Sequence, residues 1–275
     1  MAIDQGEKAR RFAELHRRPG TFVIPNPWDV GSARIMAAMG FEALASTSAG
    51  FAFALGKVDG ATSRDELLAH LGDLSRATDL PVSADLEKCF GDDPRAVAET
   101  IRLAAEAGIV GGSVEDFSGD PRRPIYDLSL ATERVAAAVE AARALPFPFT
   151  LTARAENFLR GNPDLDDTIR RLQAFEKAGA DVLYAPFLPD IAAIRTVCAS
   201  LSRPVNVLAG RPNLSVAELA GAGVKRISLG GLLSLAAFGG LLRALREIGE
   251  SGTFTFAKDA ASVAEMSRLL TGVSH

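Results

Sequence analysis

The sequence predicts a single (β/α)8 barrel of the TIM type, an α/β fold. Three observations carry this reading. Short β-branched or apolar runs alternate with longer amphipathic stretches along the whole chain, the pattern of repeated βα units that build a parallel sheet. Eight such runs occur, with starts 22, 38, 30, 39, 31, 23 and 22 residues apart, each interval long enough for a strand, a helix and two loops. No Ser-, Pro- or Gly-rich linker interrupts the series, so residues 1–275 read as one domain, close to the roughly 250 residues typical of such barrels.

In chain order the predicted strands are Thr21–Ile24, Ala43–Ser46, Pro81–Ala84, Gly111–Val114, Thr150–Ala153, Asp181–Tyr184, Pro204–Val207 and Arg226–Leu229. The helices between them carry their own signals. Ser63-Arg-Asp-Glu66 and Ser215-Val-Ala-Glu218 fit the capping box, in which a hydroxyl and a carboxylate reciprocally satisfy amides that have no intrahelical partner. Asp93-Pro94 reads as an N-cap followed by proline at the first helical position, and Gly108 and Gly179 fall where a helix end favours a left-handed residue. A doubly wound sheet is the competing arrangement, but the first run is followed by Pro25-Asn-Pro-Trp-Asp-Val-Gly31, which lacks the glycine-rich phosphate fingerprint of that fold.

Composition narrows the function classes. With 48% hydrophobic and 23% charged residues the chain can bury a sizeable core, which excludes general disorder. A net charge of −4 without any Lys/Arg block leaves no electrostatic footprint for nucleic acid or an anionic membrane. Two cysteines, Cys89 and Cys198, cannot build a disulfide framework or a four-ligand zinc site. The charged N-terminal stretch lacks the apolar centre of a signal peptide, and the longest uncharged run, Ile227–Leu242, is too short and glycine-interrupted for a membrane span. A cytoplasmic, reducing compartment is therefore expected.

In a barrel of this kind the active site lies at the carboxyl ends of the strands. Those positions hold Asn26 and Asp29, Thr47-Ser48-Ala49-Gly50, Asp85 and Glu87, Glu115-Asp116, and Arg154 and Glu156, while Asn206 falls inside the seventh run. Carboxylates converging on one mouth repel one another unless a hard cation neutralises them. Oxygen donors without clustered His or Cys favour Mg²⁺, or Mn²⁺, over zinc. A single Asp after a strand is more often a helix cap than a ligand, but Asp85, Glu87 and Glu115 on neighbouring strand ends form a set. Arg154 fits either a structural salt bridge or a bidentate carboxylate clamp. Glu156 and Asp116 read as supporting partners, and Trp28, Phe51 and Phe53 read equally as roofing for the mouth or as ligand contacts.

At these residues the chain resembles the isocitrate lyase/phosphoenolpyruvate mutase superfamily. The segment Ala84-Asp-Leu-Glu-Lys-Cys-Phe-Gly91 is similar to its metal motif, Gly40–Gly50 to its oxo-acid loop, Val114-Glu-Asp116 to its second acidic strand end, and Thr152-Ala-Arg-Ala-Glu156 to its arginine strand. The resemblance implies Mg²⁺ held directly by Asp85 and partly through water by Glu87 and Glu115, with Asp59 adding a carboxylate. It also implies a substrate carboxylate bound at Thr47, Ser48, Ala49 and Gly50, and Arg154 facing the substrate oxygen; Asn206, Arg122 and Arg123 are candidates for a second carboxylate. A homo-oligomer, tetramer or dimer, with a C-terminal helix exchanged between neighbours is the implied assembly.

Two departures stand out. The family lyases carry a Lys-Lys/Arg-Cys-Gly-His lid, whereas the corresponding interval here reads Phe117-Ser-Gly-Asp-Pro-Arg-Arg-Pro-Ile-Tyr-Asp127, with no cysteine or histidine. Cys89 does not replace the lid thiol, because it occupies the first glycine position of the metal motif. The expected activity is a Mg²⁺-dependent carbon–carbon lyase of the isocitrate or methylisocitrate lyase type, acting on small 2-hydroxy or 2-oxo di- or tricarboxylates through an enolate-like intermediate. The alternatives are an oxaloacetate-type decarboxylase, a phosphoenolpyruvate mutase or phosphonopyruvate hydrolase, and, in another class, a barrel that binds 2-oxo acids without turnover. A Schiff-base aldolase is disfavoured, since Lys88, the one lysine just after a predicted strand, sits in a loop.

Overall fold

The computed structural model describes residues 3–210 and 214–271. Eight parallel strands are present: β1 (Phe22–Ile24), β2 (Leu44–Ala45), β3 (Val82–Asp85), β4 (Gly111–Glu115), β5 (Thr150–Arg154), β6 (Val182–Tyr184), β7 (Val205–Leu208) and β8 (Arg226–Ser228). Each lies within a residue or so of its predicted run. They pair in the order β1-β8-β7-β6-β5-β4-β3-β2, so the sheet curls into a nearly closed barrel.

Closure between β1 and β2 falls to the short segments beyond them. Ala45 N donates to Pro25 O at 3.0 Å. Asn26 completes the join: its Nδ2 donates to Ser46 O at 3.0 Å, and its Oδ1 accepts from Leu229 N at 2.8 Å and Gly230 N at 2.9 Å. Asn26 is thus a clamp tying three strand ends together, which accounts for its burial without a role at the mouth.

Around the sheet run the helices α1 (Gln5–Arg17), α2 (Val30–Ala38), α3 (Ser48–Ala54), α4 (Arg64–Ala77), α5 (Pro94–Glu106), α6 (Leu128–Arg143), α7 (Leu165–Lys177), α8 (Ile191–Ala199), α9 (Val216–Gly221), α10 (Leu232–Ser251) and α11 (Val263–Thr271). Both predicted capping boxes form, at Ser63/Glu66 and Ser215/Glu218, and Asp93 caps α5 with Pro94 in its first turn. Gly108 and Gly179 take φ of +95° and +104°. At Gly108 a Cβ would meet Ser75 Oγ at 2.2 Å, so glycine is required there on steric grounds as well.

The charged N-terminal stretch forms α1, a helix that the alternating βα pattern does not announce. Asp4 caps it, and its apolar stripe of Ala9, Phe12 and Leu15 packs on Phe22, Ala43 and Val110 at the strand starts, covering the amino end of the barrel. Two larger apolar shells fill the space between sheet and helices, one around β2–β5 with α4 and α5, the other around β5–β8 with α7 and α8. At the C-terminus α11 lies on α2 of the same chain, and α10 leaves Leu235, Leu241, Leu242 and Leu245 exposed. No helix among the described residues is long and apolar enough to cross a membrane.

The barrel interior is polar. Glu115, Arg154, Tyr184, Asn206 and Arg226 are successive register partners across β4–β8, forming one row that descends from the carboxyl end towards the amino end. Beneath the mouth lies a cavity of about 60 Å³ lined by Ser83, Asp85, Arg154, Tyr184, Asn206 and Arg226 among others, enough for a few bridging waters.

Candidate active site

The mouth at the carboxyl ends of the strands is a cavity of about 650 Å³ lined by Thr47, Ser48, Ala49, Asp59, Asp85, Glu87, Glu115 and Arg154 together with a set of apolar residues. These eight come from four separate strand ends and the loop after α3. A comparable cleft of about 700 Å³ beside α1 contains none of the residues singled out in the sequence. Its charges are paired locally, Arg10 and Arg11 with Glu7 and Arg18 with Glu42, so it offers no convergent chemistry.

Asp85 ends β3. Its Oδ2 accepts from Ser48 Oγ at 3.0 Å, and its Oδ1 lies 3.4 Å from Glu87 N, which fixes the carboxylate towards the start of α3. Thr47 caps α3 by accepting from Gly50 N at 3.3 Å, so its hydroxyl already has a structural task. Glu87 has a left-handed backbone, φ +50°, followed by Cys89 at +60° and Phe90 at +57°. Such strain in non-glycine residues persists only where surrounding structure imposes it and concentrates at functional sites. The Glu87 carboxyl lies near Asp85, Asp59 and the Thr62 hydroxyl, with Oε1 buried and outside ordinary hydrogen-bond geometry. Burial first, then Asp85 and Asp59, push the Glu87 carboxyl up to about 7.

Glu115 ends β4 and is 6% exposed. Burial holds its carboxyl well above the usual range, although Arg154 opposes the effect. Arg154 Nη1 lies 3.3 Å from Glu115 Oε2 and 3.8 Å from Asp85 Oδ1, while its Nε donates to Glu156. Its guanidinium also lies 5.2 Å from the centre of the Tyr184 ring. Glu156, wholly buried, binds Arg160 Nε at 3.0 Å as well, and Asp116 receives the Glu156 N–H at 2.8 Å and pairs with Arg171 at 3.1 Å. Glu156 and Asp116 therefore act as expected, holding the arginines from behind.

Several expectations need correction. Asn206 is absent from the lining of the mouth: it is 1% exposed in the interior, accepting from Arg226 Nε at 2.8 Å and donating to Ser228 Oγ at 3.0 Å. Its height explains this, because it is the second residue of β7 and not the last. Gly50 also leaves the lining; a Cβ there would meet Thr47 Cγ2 at 2.7 Å, so it serves close packing. Asp29 caps α2 in a capping box with Ser32. Arg122 and Arg123 lie on a loop closed by the Phe117–Ile125 bridge, are highly solvent-exposed, and pair with Asp120 and Asp127. Phe51 stacks on His70 in the core, and Lys88 Nζ is held by Asp92 and Ser118 O, both at 2.8 Å. Sequence reasoning missed Arg160 and Tyr184. The four-residue spacing of Glu156 and Arg160 was the available signal for the first; Tyr184, as the last residue of its predicted run, was the signal for the second.

Four carboxylates, Asp59, Asp85, Glu87 and Glu115, thus line the mouth with two guanidiniums, Arg154 and Arg160, and the buried Glu156 pairs with both guanidiniums from behind. Among the described residues no three His, Cys, Asp or Glu side chains are gathered closely enough to hold an ion, and Arg154 stands between Asp85 and Glu115. The donor chemistry nevertheless fits a hard divalent cation: every donor is an oxygen, negative charge is in excess, and Glu87 Oε1 is buried and unpartnered.

Comparison with known proteins identifies the family and the fold. The family model described as phosphoenolpyruvate phosphomutase matches residues 12–249. An uncharacterised protein of Mycobacterium tuberculosis is 32% identical over 220 residues, covering 80% of this chain and 81% of that one. A probable 2-methylisocitrate lyase of Corynebacterium glutamicum is 29% identical over 216 residues, covering 74% and 67%. Among solved structures, one from Burkholderia cenocepacia, described only as a lyase or mutase, is 56% identical with a TM-score of 0.96 over 97% of both chains. A 2,3-dimethylmalate lyase of the phosphoenolpyruvate mutase/isocitrate lyase superfamily is 25% identical with a TM-score of 0.83, covering 96% and 94%.

Proposed function

The chain belongs to the phosphoenolpyruvate phosphomutase family, within the phosphoenolpyruvate mutase/isocitrate lyase superfamily, and on that premise we propose that it is a Mg²⁺-dependent carbon–carbon lyase forming an enolate from a 2-oxo or 2-hydroxy acid. The observation that carries the reading is the excess of carboxylates around Arg154, with Glu87 Oε1 buried and unpartnered among them. Asp85, Glu87 and Glu115 would hold the cation, with Asp59 nearby; Mn²⁺ suits the same donors. When bound, the ion supplies a Lewis-acid charge to the carboxylate and 2-oxygen of the substrate.

The chain's own groups do the rest. Arg154 offers guanidinium N–H groups to the oxygen on which negative charge develops, and Glu156 fixes their direction from behind, so no reorganisation is required as the charge appears. Ser48 and the backbone beside it would take the substrate carboxylate, with Ser48 itself anchored on Asp85. For a 2-oxo acid that loses CO₂, the electron pair of the broken bond stays on the carbon next to the 2-oxo group as the enolate; for a 2-hydroxy acid, the 2-hydroxyl gives up its proton and becomes the carbonyl of the 2-oxo product, the electron pair leaves on the other fragment as its enolate, and that carbon then takes up a proton. In the metal-free protein the Glu87 carboxyl, raised to about 7, holds a proton near neutrality, and a bound cation would displace it.

A decarboxylase is the second reading, favoured by the composition of the Phe117–Ile125 loop, which contains no cysteine or histidine to act as the acid. Enolate formation is common to both readings and gives the test. Pyruvate incubated in D₂O with the protein and Mg²⁺ should lose its methyl ¹H NMR signal faster than with Mg²⁺ alone, and Arg154→Met should abolish the difference. Equal exchange with and without protein, together with no binding of pyruvate or oxaloacetate, would remove the proposal.

A further inference from the structure

The mouth is divided by strand. Its β2–β5 side presents the carboxylates, Ser48 and Arg154, whereas its β6–β8 side, with the start of α10, presents Phe187, Leu188, Leu208, Leu229, Leu232 and Leu235. On the strength of the headgroup chemistry proposed above, we propose that the substrate is a monocarboxylic 2-oxo or 2-hydroxy acid with an apolar alkyl or aryl tail, bound with the headgroup on the polar side and the tail across the apolar one.

Volume is the first argument. A three-carbon oxo acid fills a small part of about 650 Å³, a size suited to a ligand of many more heavy atoms. The second is the state of the apolar wall. Phe187, Leu232 and Leu235 are 55%, 44% and 54% exposed in the single chain, a cluster of large apolar side chains at the rim of a concave site. Clusters of that kind mark binding surfaces. Phe187 is moreover held at φ +63°, a strained backbone for a non-glycine residue, which sets its ring at the rim just after β6.

Charge is the third. A second carboxylate on the substrate would need its own cation on the far side. Arg154 and Arg160, which line the mouth, are both engaged: Arg154 by Glu156 and Glu115, Arg160 by Glu156 while its guanidinium stacks 3.5 Å from the centre of the Phe117 ring. A carboxylate laid against Leu208 and Leu235 would be stripped of water without compensation, which is costly. A methylene chain laid there gains affinity instead.

Calorimetry of the Mg²⁺-loaded full-length protein tests this with two series. Along pyruvate, 2-oxobutanoate, 2-oxopentanoate and 2-oxohexanoate, affinity should rise about fourfold per buried methylene. At matched length, 2-oxopentanoate should bind tighter than 2-oxoglutarate. Leu235→Lys, at an exposed position, should reverse the second order while flattening the first. A flat first series, or 2-oxoglutarate binding tighter than 2-oxopentanoate in the wild type, overturns the apolar-tail proposal and leaves the 2-oxo acid reading intact. Binding of no 2-oxo acid at all, pyruvate included, overturns both.

Discussion

Arg154 Nη1 stands 3.3 Å from Glu115 Oε2, and the two residues are direct register partners at the ends of β5 and β4. The sheet itself therefore enforces the pair, without depending on a loop. A buried pair of this kind is weak evidence for stability, since taking both charges out of water costs about as much as their attraction returns. Here the pair does not even neutralise its surroundings, because Asp85 lies on the same guanidinium at 3.8 Å and Glu87 beside Asp85 has an unpartnered oxygen. Burial raises the Glu115 and Glu87 carboxyls, so in the metal-free protein protonation relieves part of the excess, and the proposed cation would take the place of those protons.

The first prediction concerns that cation. Wild-type melting temperature should rise with Mg²⁺ or Mn²⁺ as the ion binds the folded state. Asp85→Asn should weaken the dependence by more than the roughly tenfold that even an outer-sphere partner contributes to metal affinity. Ser48 Oγ can still donate to the amide oxygen of the substituted side chain, so the fold should survive. Equal titration midpoints for both proteins would sink the assignment of Asp85 as a ligand.

Glu87 gives a pH dependence with a definite sign. Its folded-state carboxyl titrates near 7, raised from 4.5 by burial and then by Asp85 and Asp59. The folded protein therefore binds the proton more tightly than the unfolded chain, and stability falls as pH rises from about 4.5 through 7. Relative to the wild type, Glu87→Gln in chelator should gain up to about 3 kcal/mol above pH 8 and little near pH 4.5. Saturating Mg²⁺ should close that gap by stabilising the wild type. Urea titrations at several pH values, with and without chelator, would show it; a gap that widens towards acid has the wrong sign.

The same residues show how far a sequence can be read. Strand positions were legible because short β-branched or apolar runs alternate with longer amphipathic stretches, and the caps at Ser63, Asp93 and Ser215 mark the helix starts by local chemistry. Height within the barrel was not legible. Arg154 ends its strand and reaches the mouth, whereas Asn206 is an inward residue of β7 a step lower and joins Arg226 in the interior. The stagger between strands decides which inward residues surface, and no single run encodes it. Asn26 and Gly50 misled for a related reason, since closing the barrel and packing α3 against Trp28 demand polar or small residues where catalysis would also place them. Arg122 and Arg123 depend on the path of an exposed loop, which its sequence constrains weakly.

Cys89 should be chemically silent. Burial pushes its thiol up to about 12, and its peptide oxygen accepts from Thr100 Oγ1 at 3.0 Å, which helps hold the left-handed backbone. Little thiolate forms near neutrality, so iodoacetamide should leave Cys89 unmodified in the folded protein at pH 8 and react with it after denaturation. Cys89→Ala should keep Mg²⁺ binding and pyruvate exchange within about threefold of wild type, well short of the hundredfold or more that loss of a general acid brings. Rapid native labelling, or a loss on that larger scale, would make the thiol a working group.

The last prediction concerns His70 on α4, whose ring stacks on Phe51 with centres 3.9 Å apart and planes 9° from parallel. Phe51 belongs to α3, which begins at the Thr47-Ser48 turn, so this stack braces that turn from the core side. His70 Nε2 is buried and unpartnered, and burial lowers the imidazole to about 4, only partly offset by Asp73 and Asp29. The folded protein thus holds a neutral ring where the unfolded chain would carry a proton below 6.5, and stability falls as pH drops from 6.5 towards 4. His70→Phe preserves an aromatic face for Phe51 and removes the titrating group. Relative to the wild type it should gain about 2 kcal/mol on going from pH 8 to pH 5. If the two proteins lose stability in parallel over that range, His70 is not the acid-sensitive element; if Phe at this position lowers stability at pH 8 by several kcal/mol, the ring nitrogen has a partner that the stacking geometry alone does not explain.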